Sequence, residues 1–256
     1  MATTVTYKGQ VLVTVDNSTK VLETSGTWCE DDFTLVDTGG GSGWTTDGIA
    51  SRTEPNGDIT ISTAVATIKE RVFMNCTGIT GVTIDGDPFI ENFAFNKCTN
   101  LETVNAPNVT KFMSNRWSTC ANVFDGCSKL KGIVLPNFGN NVVDGYMFAN
   151  CPNFIYADFN NMQRLGGSDV FRSSGINVLI LRKTDGVVTL QTVDVFRFSP
   201  FASGYAGGTL YVPSAFISSY QSASNWSTIL GYSTNSIQAI EGSQYENYYA
   251  DGTPIS

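Results

Sequence analysis

Ile90-Glu-Asn-Phe-Ala-Phe-Asn-Lys-Cys-Thr-Asn-Leu-Glu-Thr-Val-Asn-Ala-Pro107 is the stretch that decides the fold. Its centre, Phe95-Asn-Lys-Cys98, is preceded by Phe73-Met-Asn-Cys76 and followed by Phe124-Asp-Gly-Cys127 and Phe148-Ala-Asn-Cys151. The echo then fades into Phe171-Arg-Ser-Ser174. Successive phenylalanines stand 22, 29, 24 and 23 residues apart (95−73, 124−95, 148−124, 171−148). Self-similarity at a period of roughly 20–30 residues marks a stacked solenoid, whose single unit cannot bury its own apolar face.

Each Phe-x-x-Cys leads into a strand with the pattern L-x-x-L-x-L. The copies are Ile79/Val82/Ile84, Leu101/Val104/Ala106, Leu130/Ile133/Leu135, Phe154/Ala157/Phe159 and Ile176/Leu179/Leu181, with a degenerate sixth after Phe196 ending on Leu210 and Val212. Period two sends these side chains inward, and stacking makes the strands a parallel sheet. Four cysteines at one register should form a buried column with strand spacing of about 4.8 Å. We expect them to be reduced, because buried free cysteine behaves as a small hydrophobe and Ser174 fills the same slot. Zinc is disfavoured by the lack of a Cys-x-x-Cys pair or any histidine.

The 256 residues divide by composition into five sections. Residues 1–36 read as a small β module, with Val11, Val13 and Val15 alternating and Asp16-Asn17-Ser18 as a turn. Residues 37–43, Asp-Thr-Gly-Gly-Gly-Ser-Gly, read as a flexible linker. Residues 44–67 are expected to cap the open end of the solenoid, and the repeats run over 68–212. Residues 213–256 are expected to close the far end. There a helix from Pro213 and Ser214 carries the stripe Phe216, Ile217, Tyr220, Ala223, followed by Trp226, the strand Ile237–Ile240 and a polar tail that is loose or packs on a neighbouring chain. The fold class is mainly β.

Charged residues make up 15% of the chain and the net charge is −8, with no basic run, so nucleic acid and anionic membranes are poor partners. With no histidine the chain lacks the commonest general base and metal ligand, and no pair of acids stands out. No enzyme activity, cofactor or metal is expected. The start, Met1-Ala-Thr-Thr-Val-Thr, shows no signal-peptide pattern, and no segment approaches the length of a membrane span. Folding in a cytosol is therefore expected.

The pattern Ile-x-x-x-Ala/Val-Phe-x-x-Cys-x-x-Leu-x-x-Val-x-x-Pro resembles the BspA-like leucine-rich repeat of bacterial surface antigens. Tyr211-Val-Pro-Ser-Ala-Phe-Ile-Ser-Ser-Tyr-Gln-Ser-Ala-Ser-Asn-Trp226 is similar to the ending that accompanies such repeats. Val5-Thr-Tyr-Lys-Gly-Gln10, Lys20-Val-Leu-Glu-Thr-Ser-Gly26 and Cys29-Glu-Asp-Asp-Phe-Thr-Leu-Val36 together resemble a β module that opens tail-associated proteins of phages of gut bacteria, with Phe33 in place of the usual Ile. The resemblance implies a virion protein. Its N-terminal module would attach to other virion proteins, and its leucine-rich-repeat solenoid would meet a host-surface protein or glycan or a neighbouring subunit. It also admits a homo-oligomer. The alternatives are a bacterial surface adhesin, or a decoration protein with no ligand.

The contact surface expected from the residues is the outward column of the sheet, which grows less polar toward its C-terminal end: Val134, Tyr156, Asp158, Val178, Ile180 and Tyr211. β propensity alone would also select such residues on any sheet, and a C-terminal cap folded over them would call for the same types. Trp117, in the extra residues of the third repeat (Phe112–Asn122), is either an exposed anchor or a plug in the irregular coil.

Overall fold

In the computed structural model the described residues are the backbone of four N-terminal strands and residues 57–112, 121–139 and 141–255, apart from 62, 64 and 69, with 66 by backbone alone. Trp117, the linker 37–43 (its first residue aside) and most of the expected cap 44–67 lie outside them. In chain order the strands are β1 (Ala2–Tyr7), β2 (Gln10–Asp16), β3 (Lys20–Thr24), β4 (Phe33–Asp37), β5 (Gly57–Ile61), β6 (Val65–Ile68), β7 (Ile79–Ile84), β8 (Phe89–Ile90) and β9 (Thr103–Asn105). Then come β10 (Gly132–Leu135), β11 (Val142–Val143), β12 (Tyr156–Phe159), β13 (Arg164–Leu165), β14 (Val178–Leu181), β15 (Thr189–Leu190), β16 (Thr209–Val212) and β17 (Ser236–Ala239).

The main sheet has ten strands in the order β17-β16-β14-β12-β10-β9-β7-β5-β1-β2. From β5 to β17 every pairing is parallel, as one strand per coil requires. The inward residues read from the sequence are buried in every coil, except Val104, which is half-buried. Two smaller sheets, β11-β13-β15 and β4-β3-β6-β8, carry the coils round their other side. The first coil begins earlier than expected. Residues 57–68, assigned to the cap, supply β5 and β6, and β1 and β3 pair onto these strands.

The phenylalanines of Phe-x-x-Cys form a continuous stack. Centroids are 5.0 Å apart for Phe73–Phe95, 5.5 Å for Phe95–Phe124 and 5.7 Å for Phe124–Phe148. The stack continues at 5.7 Å for Phe148–Phe171 and 5.6 Å for Phe171–Phe196. Their planes lie within 12° of parallel. Backbone geometry imposes this. The residue two before the ring is left-handed in five coils (Arg71, Phe93, Asn122, Tyr146, Asp169), as is the residue two after it in six (Asn75, Lys97, Gly126, Asn150, Ser173, Phe198). The alternation turns successive amides toward the next coil. Phe73 N donates to Ala94 O at 2.8 Å, Phe95 N to Val123 O at 2.9 Å, and Phe148 N to Val170 O at 2.9 Å.

The cysteines sit beside this stack. Cys98 Sγ donates to Phe73 O at 3.0 Å, Cys127 Sγ to Phe95 O at 3.1 Å and Cys151 Sγ to Phe124 O at 3.1 Å, each reaching back one coil. Ser174 and Ser199, on a shorter bond, turn to their own coils instead, at 2.8 Å to Phe171 O and 2.7 Å to Phe196 O. Cys98, Cys127 and Cys151 are free thiols, whereas Cys76 is disulfide-bonded, which corrects the expectation of a fully reduced column. Burial pushes the Cys127 thiol well above its ordinary range and the Cys151 thiol up to about 12. The thiolate is the reactive form, and Cys98 is buried out of a reagent's reach, so Cys98, Cys127 and Cys151 should resist an aromatic disulfide reagent at pH 8 in the native protein and react once it is denatured. Labelling of any of the three without unfolding would contradict the buried column.

Short helices lie over the far end of the stack. A single turn at Ser214–Phe216 runs into α1 (Ile217–Ser222), and α2 (Trp226–Leu230) follows. Trp226 is buried against the last ring, with Phe196–Trp226 centroids 6.3 Å apart, and the buried Tyr220 meets Trp226 edge-on at 5.5 Å. Trp226 Nε1 donates to Val188 O at 2.7 Å, and Val188 N donates to Tyr220 Oη at 2.9 Å. The plug thus satisfies the polar atoms that it buries.

Candidate functional site

Parallel register aligns the outward residues in two columns. Gly132, Tyr156, Val178, Thr209 and Ser236 form one. Val134, Asp158, Ile180, Tyr211 and Gln238 form the other. The sequence therefore places the expected contact residues side by side, but their exposure is corrected. Ile180 is 0% exposed, Asp158 1% and Val134 9%, while Tyr156, Val178 and Tyr211 are half-buried. The cover is the chain's own C-terminal segment, which is neither loose nor on a neighbour.

A bidentate ion pair holds this strap. Arg182 Nε reaches Asp158 Oδ1 at 2.7 Å and Arg182 Nη2 reaches Oδ2 at 2.8 Å. The rest of the guanidinium serves the strap, with Nη1 donating to Tyr245 O at 2.9 Å and Nη2 to Tyr248 O at 3.0 Å. Ala250 N in turn donates to Asp158 Oδ2 at 3.0 Å. Rings seal the contact: Tyr245 meets Tyr211 edge-on at 4.7 Å, and the Arg182 guanidinium lies 5.1 Å from the Tyr249 centroid. Burial pushes the Asp158 carboxyl up, against the pull of Arg182 and the Ala250 amide. Beyond the latch the strap folds back on itself, with Tyr249 N donating to Thr253 O at 2.8 Å and Gly252 at the turn with φ +86°.

This hairpin stops over β10 and leaves a cleft of about 410 Å³ between itself and the sheet. The floor comes from Thr103, Asn105, Gly132, Val134 and Pro136, and the walls from Tyr156 and the strap residues Tyr249, Asp251 and Thr253. Tyr156 lies on Gly132: a Cβ there would stand 2.4–2.5 Å from three atoms of the ring, so only glycine seats it. Burial first, and then the charge of Asp251, raises the Tyr156 hydroxyl above its usual value. A second cleft of about 420 Å³ lies among Gln221, Ser227, Leu230, Gly231, Asn235, Ser236 and Ile237, with no aromatic or charged lining. Among the described residues no group of three or more His, Cys, Asp or Glu is placed to hold a metal ion, and no helix is long and apolar enough to cross a membrane.

Residues 55–177 match the BspA type leucine rich repeat region in six copies. Over this segment, just under half of the chain, the sequence is similar to BspA-type repeats, and its coils form a leucine-rich-repeat solenoid. The structure carries its coils on through β16 and β17. No curated protein and no solved structure matches the chain. Of the expected contact residues, Val134 and Tyr156 line the cleft, Asp158 serves the latch, Tyr211 packs under the strap and Ile180 is buried. Reading the sequence did not pick out Asn105, Tyr249, Asp251 or Thr253 as site residues. The one signal was the clustering of Tyr245, Tyr248 and Tyr249 in an otherwise polar tail.

Proposed function

We propose that the chain is a non-catalytic binding protein of a phage particle, and that the cleft beneath the strap is its contact point with the host surface. The observation that carries this reading is the cleft itself. A rigid repeat scaffold and a buried ion pair hold two tyrosines and a carboxylate round a concavity within the size range of ligand sites. Solenoids present extended surfaces, and this one offers a recess with aromatic and charged walls where the strap ends. The virion setting is supported by the likeness of residues 5–36 to the opening module of phage tail-associated proteins, which would join this chain to other virion proteins.

The test is adsorption of the labelled full chain to cells of the host bacterium, with mass spectrometry of purified particles for its presence there. Tyr156→Ser should lower cell binding by about tenfold or more, the loss that one anchoring ring commonly causes, while circular dichroism stays unchanged. Binding equal to that of the unmodified chain would remove the cleft as the contact point. Absence from purified particles would remove the virion setting.

A further inference from the structure

The chemistry of the cleft narrows what it takes. Because Tyr156 has one ring face on the Gly132 backbone and is half-buried, its other face is the one that can meet a ligand. An aromatic face carries partial negative charge and is desolvated cheaply, so it suits a flat ligand surface bearing C–H groups. Around it stand the exposed side chains of Thr103 and Asn105 on β9 and of Asp251 and Thr253 on the strap. Hydroxyls and an amide both donate and accept, and the carboxylate accepts. That set matches a ligand whose edge is lined with hydroxyl groups.

Charge argues against the anionic class. Among the described residues the lining holds no lysine or arginine, it holds Asp251, and the chain carries −8 overall, so an anionic ligand would be repelled. For a cation one of the two rings is already taken, since the Arg182 guanidinium engages Tyr249, which leaves the Tyr156 face alone and makes choline the probe that tests this class. Taking the cleft as the contact point, we infer that its ligand is a neutral saccharide, one ring stacked on Tyr156 and its hydroxyls held by Asn105, Asp251 and the two threonines.

The full chain is to be applied to an array of neutral glucans, mannans, galactans and N-acetylglucosamine oligomers, with sialyllactose and choline as charged probes, and the best hit titrated by calorimetry. Binding of a neutral saccharide is expected. Tyr156→Ala, Asn105→Ala and Gly132→Ala, the last by pushing the ring off its seat, should each weaken it about tenfold, and Tyr156→Phe should retain it. If Gly132→Ala unfolds the protein, Asn105→Ala, an exposed position, decides. Preference for sialyllactose or choline, or saccharide binding indifferent to Tyr156 and Asn105, overturns the inference. Cell adsorption that needs Tyr156 while no neutral saccharide binds overturns the saccharide class and leaves the cleft as contact point. Adsorption indifferent to Tyr156, with no saccharide bound, sinks both.

Discussion

Replacing Arg182 with alanine is expected to destabilise the protein by about 3–5 kcal/mol, the range found when one partner of a buried ion pair is removed. Asp158 would keep a carboxylate that is 1% exposed, with the Ala250 amide as its remaining donor from the latch. The carbonyls of Tyr245 and Tyr248 would lose the guanidinium that they share, and the Tyr249 ring would lose its cation. The upward push of burial on Asp158 indicates that desolvation outweighs the attraction of the pair. The pair is therefore a device for placing the strap more than a source of stability. A double variant, Asp158→Leu with Arg182→Met, separates these roles. It should unfold in urea near the midpoint of the unmodified chain, yet a protease should cut within residues 241–255 far sooner, and binding at the cleft should fall because Tyr249, Asp251 and Thr253 no longer hold their wall. If Arg182→Ala costs less than about 1 kcal/mol, as exposed pairs do, the latch is not what fastens the strap.

The solenoid was legible because two short-range rules repeat in it. Phe-x-x-Cys names the rings that stack, and period two names the strand residues that turn inward; burial agrees at every inward position but the half-buried Val104. The turns between them were not legible in the same way. Left-handed backbone is usually announced by Gly or Asn, yet here Phe93, Tyr146 and Lys97 adopt it, with φ of 60°, 52° and 57°. The ladder of inter-coil amides holds them there, and a single repeat contains nothing of that ladder. The start of the first coil was missed for a related reason, since Gly57–Ile61 lacks a Phe-x-x-Cys to flag it.

The candidate site was half legible. Column register follows from parallel stacking, which puts Asp158, Ile180 and Tyr211 in one column and Tyr156 in the one beside it. Whether a column faces water depends on contacts that join residues far apart in the chain. Asp158 and Ala250 are 92 positions apart, and Arg182 and Tyr248 are 66. No local pattern carries that information. Beside the tyrosine cluster of the tail, Asp158 and Arg182 one coil apart are the further trace in the sequence of a polar cover. Gly132 was hidden in another way: in a strand it reads as weak propensity, and in the structure it is the seat of the Tyr156 ring.

Phe148→Ala should give a loss of similar size, about 3–5 kcal/mol, from the opposite side of the physics. Phe148 is 0% exposed and touches more of the stack than a single rung needs. It is parallel to Phe124 and Phe171 at 5.7 Å each, stacked on Phe154 at 4.7 Å and edge-on to Phe112 at 6.4 Å. Each aromatic pair adds about 0.5–1.5 kcal/mol to the buried area alone, and the hole left by a ring in a close-packed column cannot be filled without moving coils on both sides. Because the coils of a solenoid are coupled chiefly through their neighbours, such a break in the middle also weakens the coupling between the two halves. Urea unfolding followed by circular dichroism should therefore show both a lower midpoint and a shallower slope, as the halves begin to unfold separately. Ile155→Ala is the matched control on the same coil, since Ile155 is 48% exposed and a surface change of this kind stays within about 0.5 kcal/mol. Should the two variants unfold alike, the ring stack would be a by-product of the repeat and the parallel sheet alone would hold the coils in register.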